Sequence, residues 1–237
     1  ASCYSVNDKM IHFNKDSYGK NCPKGSYNTV FHEIGHNIDD LVVSDEGCSN
    51  GDFRNITSQK INGRRLYDVI REDVSDNIKR NVDEFNDKEW VKIDDKGKQK
   101  IVDALLDRRN AVKLNPRLKM AYQEIYQEYT GKISLGYFDA ELGTAIDTNT
   151  GLLDGDSNNM VSDIYGGATN NSIVGEWQHS DKGYWYDKNG NHTEKLATEF
   201  MAEYFANEMT ENPGKENARN YLPKSHEYMD ELMKSIL

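Results

Sequence analysis

Apolar positions recur along this chain at helical spacing over long stretches, and at alternating spacing only once, near the start. In residues 4–14, Ile11 and Phe13 alternate with polar neighbours beyond the turn signal Asn7-Asp8, which predicts a short edge hairpin. A Gly-bounded loop spans 19–25. Ser26 or Asn28 is then placed to cap a helix in which Val30, Ile34 and Ile38 recur at steps of four. Residues 44–63 are polar and Gly-containing and read as loop. From about residue 65 to 129, three or four amphipathic helices are expected, broken at Lys96-Gly97 and Pro116, with Leu105, Val112, Leu118, Tyr122 and Ile125 as their core. Their many charges read as a solvated face.

The stretch 136–181 is rich in Gly, Asn, Ser and Asp and reads as irregular chain around short structured pieces, and loops of that length inside domains are often functional. Helical periodicity returns over 194–208. After breaks expected at Gly214 and Pro223, it closes the chain with Tyr228, Leu232 and Ile236 on one face. The pattern therefore predicts an α+β, mostly helical protein in three segments: 1–64 with the hairpin and first helix, 65–135 as a helical insertion, and 136–237 with the second long helix and the closing helix. No internal repeat interrupts this order.

A length of 237 residues suits one elaborated domain, and 36% hydrophobic with 10% aromatic residues is enough to fold despite 29% charged residues. The formal net charge of −11 argues against a nucleic-acid partner, since phosphate contacts need clustered Lys and Arg. No apolar run approaches the roughly 20 residues that span a bilayer, and Ala-Ser-Cys-Tyr-Ser at the start lacks the features of a signal peptide, so no membrane partner is expected. The chain is expected to be soluble, whole or as a piece of a longer protein. Cys3, Cys22 and Cys48, without CxxC spacing, point to a reducing compartment, with a Cys22–Cys48 bridge as the alternative.

The chemistry concentrates in His32-Glu33-Ile34-Gly35-His36, an H-E-x-x-H pattern inside the first predicted helix. Residues four apart share one helix face, so both imidazoles can reach one metal ion while Glu33 projects beside them. Zinc held by two His and one carboxylate keeps a position for water, acidifies it and polarises a carbonyl, and Glu33 is then placed as the general base. The third ligand should come from a second helix, where Glu199-Phe200-Met201-Ala202-Glu203 offers two carboxylates four apart, one to bind metal and one to orient a ligand. Spacing alone does not choose between them. Leu196, Ala197, Phe200, Ala202 and Phe205 mark that helix as closely packed. A weaker signal, Asp147 to Gly151 with Asp154, Gly155 and Asp156, has calcium-loop flavour without the spacing of an EF-hand and reads as ordinary polar loop.

Taken together, His32 to Asp40 and Glu199 to Phe205 resemble the gluzincin family of the anthrax lethal factor catalytic domain and the bacterial Pro-Pro endopeptidases. The closing Tyr221-Leu222-Pro223-Lys224 and helix are similar as well. The resemblance implies a zincin-like fold, one Zn2+, His32, His36 and Glu199 as its ligands, Glu203 and Asp40 in supporting roles, and a peptide or protein substrate. That family carries a Tyr seven residues before the ligand Glu to stabilise the oxyanion. Here the position is His192, which leaves His192 itself, His179, Tyr184 or Tyr186 to serve. A second resemblance links Val161 to Asn170, Gly175 to Ser180 and Tyr184-Trp185 to phage minor head proteins of the head-morphogenesis type. It implies a phage or prophage origin, phage head or portal proteins as partners, and location in the bacterial host cytoplasm or the virion. The rival expectations are a head-assembly module with a relict or structural zinc site and a secreted toxin-like protease.

Overall fold

The computed structural model describes residues 3–5, 7–13, 27–41, 55–88, 92–134, 163–173, 179, 183–210 and 214–236. Strand β1 (Cys3–Ser5) pairs antiparallel with β2 (Met10–His12), with Tyr4 opposite Ile11, as the alternating pattern predicts. Helix α1 (Asn28–Leu41) follows, entered through Tyr27 at φ 60, whose carbonyl accepts from the N–H groups of Val30 and Phe31 at 3.0 and 3.1 Å. Then come a 3₁₀ turn (Ile56–Ser58), the two-residue strands β3 (Lys60–Ile61) and β4 (Arg64–Arg65), and the helices α2 (Leu66–Lys88), α3 (Asp95–Leu106) and α4 (Pro116–Ser134). Residues 163–168 form a short helix. Helices α5 (Lys195–Met209), α6 (Gly214–Tyr221) and α7 (Pro223–Ile236) close the chain. The fold is α+β and mostly helical, and no described helix is long and apolar enough to cross a membrane.

Three local expectations are corrected. Residues 60–63, the end of the stretch read as loop, belong with Arg64 and Arg65 to the β3–β4 hairpin, because Asn62 and Gly63 both take positive φ (53 and 78), the geometry an Asn-Gly turn favours. Gly97 does not break a helix. It lies in the first turn of α3, donates its N–H to the Asp94 cap at 2.8 Å, and lets Ile93 approach to where a Cβ would be only 2.6 Å away. Val112, expected in the core, is 83% exposed on a 3₁₀ segment, whereas Leu105, Leu118 and Ile125 are buried. The break expected at Gly214 is present, since α5 ends at Met209 and α6 opens at Gly214.

One hydrophobic cluster joins the faces of α2, α3 and α4 to those of α5, α6 and α7, including Ile70, Ile78, Leu105, Phe200, Leu222 and Leu232. Buried polar groups lock the same helices. Asp73 on α2 accepts from the N–H and Oγ of Ser225 at 2.8 and 2.7 Å, placing a carboxylate at the N-terminus of α7. Asp39 at the end of α1 is fully buried and accepts from Thr57 N, Thr57 Oγ1 and Asn55 Nδ2 at 2.9, 3.0 and 3.3 Å, tying the 3₁₀ turn to the helix.

Helix α1 packs along α5, and its most buried residues are Glu33, Gly35 and Asp39, while Val30, Ile34 and Ile38 are only half-buried. The helix therefore turns its polar, motif-bearing face inward. Gly35 makes this possible: a Cβ there would lie 2.8 Å from the Cα of Ala202 and 3.2 Å from its carbonyl oxygen. Backbone cannot give way as a side chain can. Gly35→Ala is expected to destabilise the metal-free protein by about 1–3 kcal/mol despite the better helix propensity of alanine. Chemical denaturation reads this as a lowered midpoint, and an unchanged midpoint would mean that α1 and α5 separate without cost.

Candidate metal centre

The steps of α1 and α5 bring two imidazoles and a carboxylate to one point. His32 Nε2 and His36 Nε2 are 3.1 Å apart, and Glu199 Oε2 lies 3.5 Å from the first and 3.4 Å from the second. His32, His36 and Glu199 are the metal-capable cluster among the described residues. Nitrogen and oxygen donors held about 2.0–2.1 Å from a tetrahedral ion stand about 3.3 Å from one another, which is the size of this triangle. A larger cation that takes six to eight oxygens at about 2.3–2.6 Å suits this donor set less well. Glu199 is 4% exposed, and the imidazoles keep part of their surface open to solvent.

Electrostatics bind the three groups tightly even without an ion. Burial disfavours charge on His32, but the carboxylates of Glu203 and Glu199 outweigh it and raise its pKa well above the usual range. Burial would raise the pKa of Glu199, but His36 and His32 hold it well below the usual carboxylate range. A cation entering the site must therefore displace a proton from His32.

Glu203, one turn along α5, is placed 3.1 Å from His32 Nδ1. Accepting the Nδ1 proton there leaves the Nε2 lone pair directed into the triangle, the arrangement in which an outer carboxylate orients a metal-binding imidazole. The two carboxylates that spacing could not tell apart thus occupy different positions, Glu199 on the donor triangle and Glu203 behind His32.

Glu33 is 7% exposed, and its Oε2 accepts the main-chain N–H of Tyr4 at 2.6 Å. The Tyr4 hydroxyl donates to Asp40 Oδ2 at 2.7 Å, and the Lys9 ammonium pairs with the same oxygen. Partial burial and the Asp40 carboxylate push the Tyr4 phenol up to about 12. Asp40 acts at one remove, pinning the β1–β2 hairpin to α1 so that a strand amide sits on Glu33. Sequence reasoning did not find Tyr4, because its contribution to Glu33 comes from the main chain and leaves no side-chain signature.

Of the four candidates for a second polar donor, Tyr184 is the one that reaches the triangle: its hydroxyl donates to Glu199 Oε1. Burial, then the charge of Glu199, pushes the Tyr184 phenol far above its usual value, so it is a neutral donor. His192 stacks on Tyr67 of α2 with ring centroids 3.6 Å apart, and it bridges to Tyr186, whose hydroxyl lies 3.2 Å from that of Tyr67. His192 and Tyr186 thus form a separate aromatic cluster. His179 stacks on Tyr184, with centroids 4.1 Å apart and planes 4° from parallel, and pairs with Asp163, whose hydrogen bond raises its pKa. Asp163 carried no chemical signal in the sequence.

Residues 163–169, in the stretch that resembles phage head proteins, are buried, as is Trp185. Gly167 packs so closely that a Cβ would meet Leu196 at 2.8 Å and Trp185 at 2.9 Å. Cys3 is a free, exposed thiol, while Cys22, Cys48 and the calcium-flavoured loop at 147–156 lie outside the described residues. Compared with known families, curated proteins and solved structures, the chain matches none, and its functional reading rests on the arrangement of its own residues.

Proposed function

We propose that this chain is a zinc-dependent endopeptidase, of the lethal-factor-like kind its motifs resemble, encoded by a phage or prophage. The observation that carries the reading is the combination of the His32–His36–Glu199 triangle with Glu203 behind His32 and Glu33 one residue along from the first donor. A simple structural site has no need of a buried carboxylate that is not itself a donor. Zinc on these donors supplies Lewis acidity toward a peptide carbonyl and acidifies water.

The residues of the chain do the rest. Glu33 takes the proton from the attacking water and returns it to the leaving amine nitrogen. Tyr4 N–H anchors one oxygen of the Glu33 carboxylate, which limits the orientations the base can take. Tyr184, neutral and already donating at the centre, is the group placed to donate to the carbonyl oxygen as negative charge develops there. The β1–β2 hairpin beside Glu33 offers an edge against which an extended peptide can lie.

Incubating zinc-loaded protein with a peptide library and reading cleavage sites by mass spectrometry tests this directly. Cleavage that a chelator stops and zinc restores is expected. Stable zinc binding with no cleavage of any peptide would favour the head-assembly module instead.

A further inference from the structure

We infer that Asp163 and His179 form a positioning pair that fixes the Tyr184 ring against the metal centre, an assignment that rests on the proposed function. Tyr184 itself lies in a bend after Gly183 (φ 91), where its carbonyl accepts from Thr193 Oγ1 at 2.6 Å, a bond that holds the backbone but leaves the rotation of the ring unfixed. The restraint comes from its neighbour. Asp163, 8% exposed at the start of the 163–168 helix, accepts the main-chain N–H of His179 at 2.7 Å and faces His179 Nδ1 at 3.0 Å through the same oxygen. Buried Trp185 donates its Nε1–H to the His179 carbonyl at 3.0 Å. Backbone and ring of His179 are thus held at three points, and the ring lies parallel to that of Tyr184. Trp185 stands edge-on to both, at 87° and 89°.

An apolar side chain would fill this space without burying a carboxylate, which is costly unless paired. What an apolar filler lacks is direction. The Nδ1–H···O bond fixes the rotation of the imidazole, and the stack passes that orientation to the phenol, whose hydroxyl is then held at the edge of the donor triangle, on Glu199 Oε1 until a carbonyl oxygen takes its place. His179 is thereby reassigned from a catalytic candidate to a positioning residue, since among the described contacts it touches Tyr184 and not the triangle.

Four variants test the pair: His179→Ala, Asp163→Asn, Tyr184→Phe, and Tyr184→Phe combined with His179→Ala. In metal-free protein labelled with 13C-tyrosine, where the resonance lost in Tyr184→Phe identifies Tyr184, ring flipping is expected to be slow in the wild type and faster in His179→Ala. In the zinc-loaded enzyme, His179→Ala should lower kcat by about 10–100-fold with KM nearly unchanged, and should add nothing in the Tyr184→Phe background. Asp163→Asn keeps an oxygen that accepts both bonds and should retain most activity and the slow flip. Unchanged flipping in His179→Ala, or an equal loss with and without the Tyr184 hydroxyl, would overturn the pair. If the wild type cleaves no peptide, the proposed function fails, but the ring-flip measurement still decides whether His179 holds Tyr184.

Discussion

Glutamine in place of Glu33 should leave zinc bound and remove hydrolysis. The amide occupies the same volume, and its oxygen can still accept the Tyr4 N–H that meets Glu33 Oε2 at 2.6 Å, so the hairpin and the donor triangle should stay in place. What is lost is the capacity to take a proton from water at neutral pH. Removing a general base alone typically costs about 10²–10⁴ in rate, and the loss here should exceed that range because the same carboxylate also orients the nucleophile. Initial rates on a cleaved peptide, with zinc content measured in parallel, separate the two effects. Retained turnover with full zinc occupancy would remove Glu33 from the mechanism.

The second large effect separates the two glutamates of α5. Glu199→Ala deletes one of three donors and should release zinc readily. Glu203→Ala leaves the triangle intact but frees His32 Nδ1, now 3.1 Å from Glu203 Oε1, and should weaken zinc binding by roughly 10–100-fold. Dialysis against graded chelator, with bound metal read by native mass spectrometry, orders the variants. The expected order is wild type, Glu203→Ala, Glu199→Ala, from tightest to weakest. If Glu203→Ala loses zinc first, the helix register at the site is wrong by one turn.

Much of this geometry was legible in the sequence because it depends on local periodicity. Positions 32 and 36 share a face on any α-helix, and so do 199 and 203, and the hairpin and the long helices announce themselves by spacing. The choice between Glu199 and Glu203 was not legible from spacing, since it depends on how deeply α5 lies against α1. That depth is set by Gly35 facing Ala202, a contact between residues far apart in the chain. Position 192 misled for a related reason. Its offset from Glu199 matches the family pattern, but the Tyr186–His192 bridge turns His192 toward Tyr67, and Tyr184 reaches Glu199 from about eight residues further out than that pattern expects. Asp163 and the Tyr4 amide were invisible because one lies in a stretch read as irregular chain and for its resemblance to phage head proteins, with no chemistry attached, and the other contributes no side chain to Glu33.

The most direct test of the metal centre is crystallographic, with zinc-loaded protein and diffraction data on both sides of the zinc absorption edge. One anomalous peak per chain is expected, bonded at about 2.0–2.1 Å to Nε2 of His32, Nε2 of His36 and a carboxylate oxygen of Glu199, with a remaining position left to solvent. A peak ligated by Glu203, a fourth protein ligand closing the coordination sphere, or no peak in this triangle at saturating zinc would contradict the site.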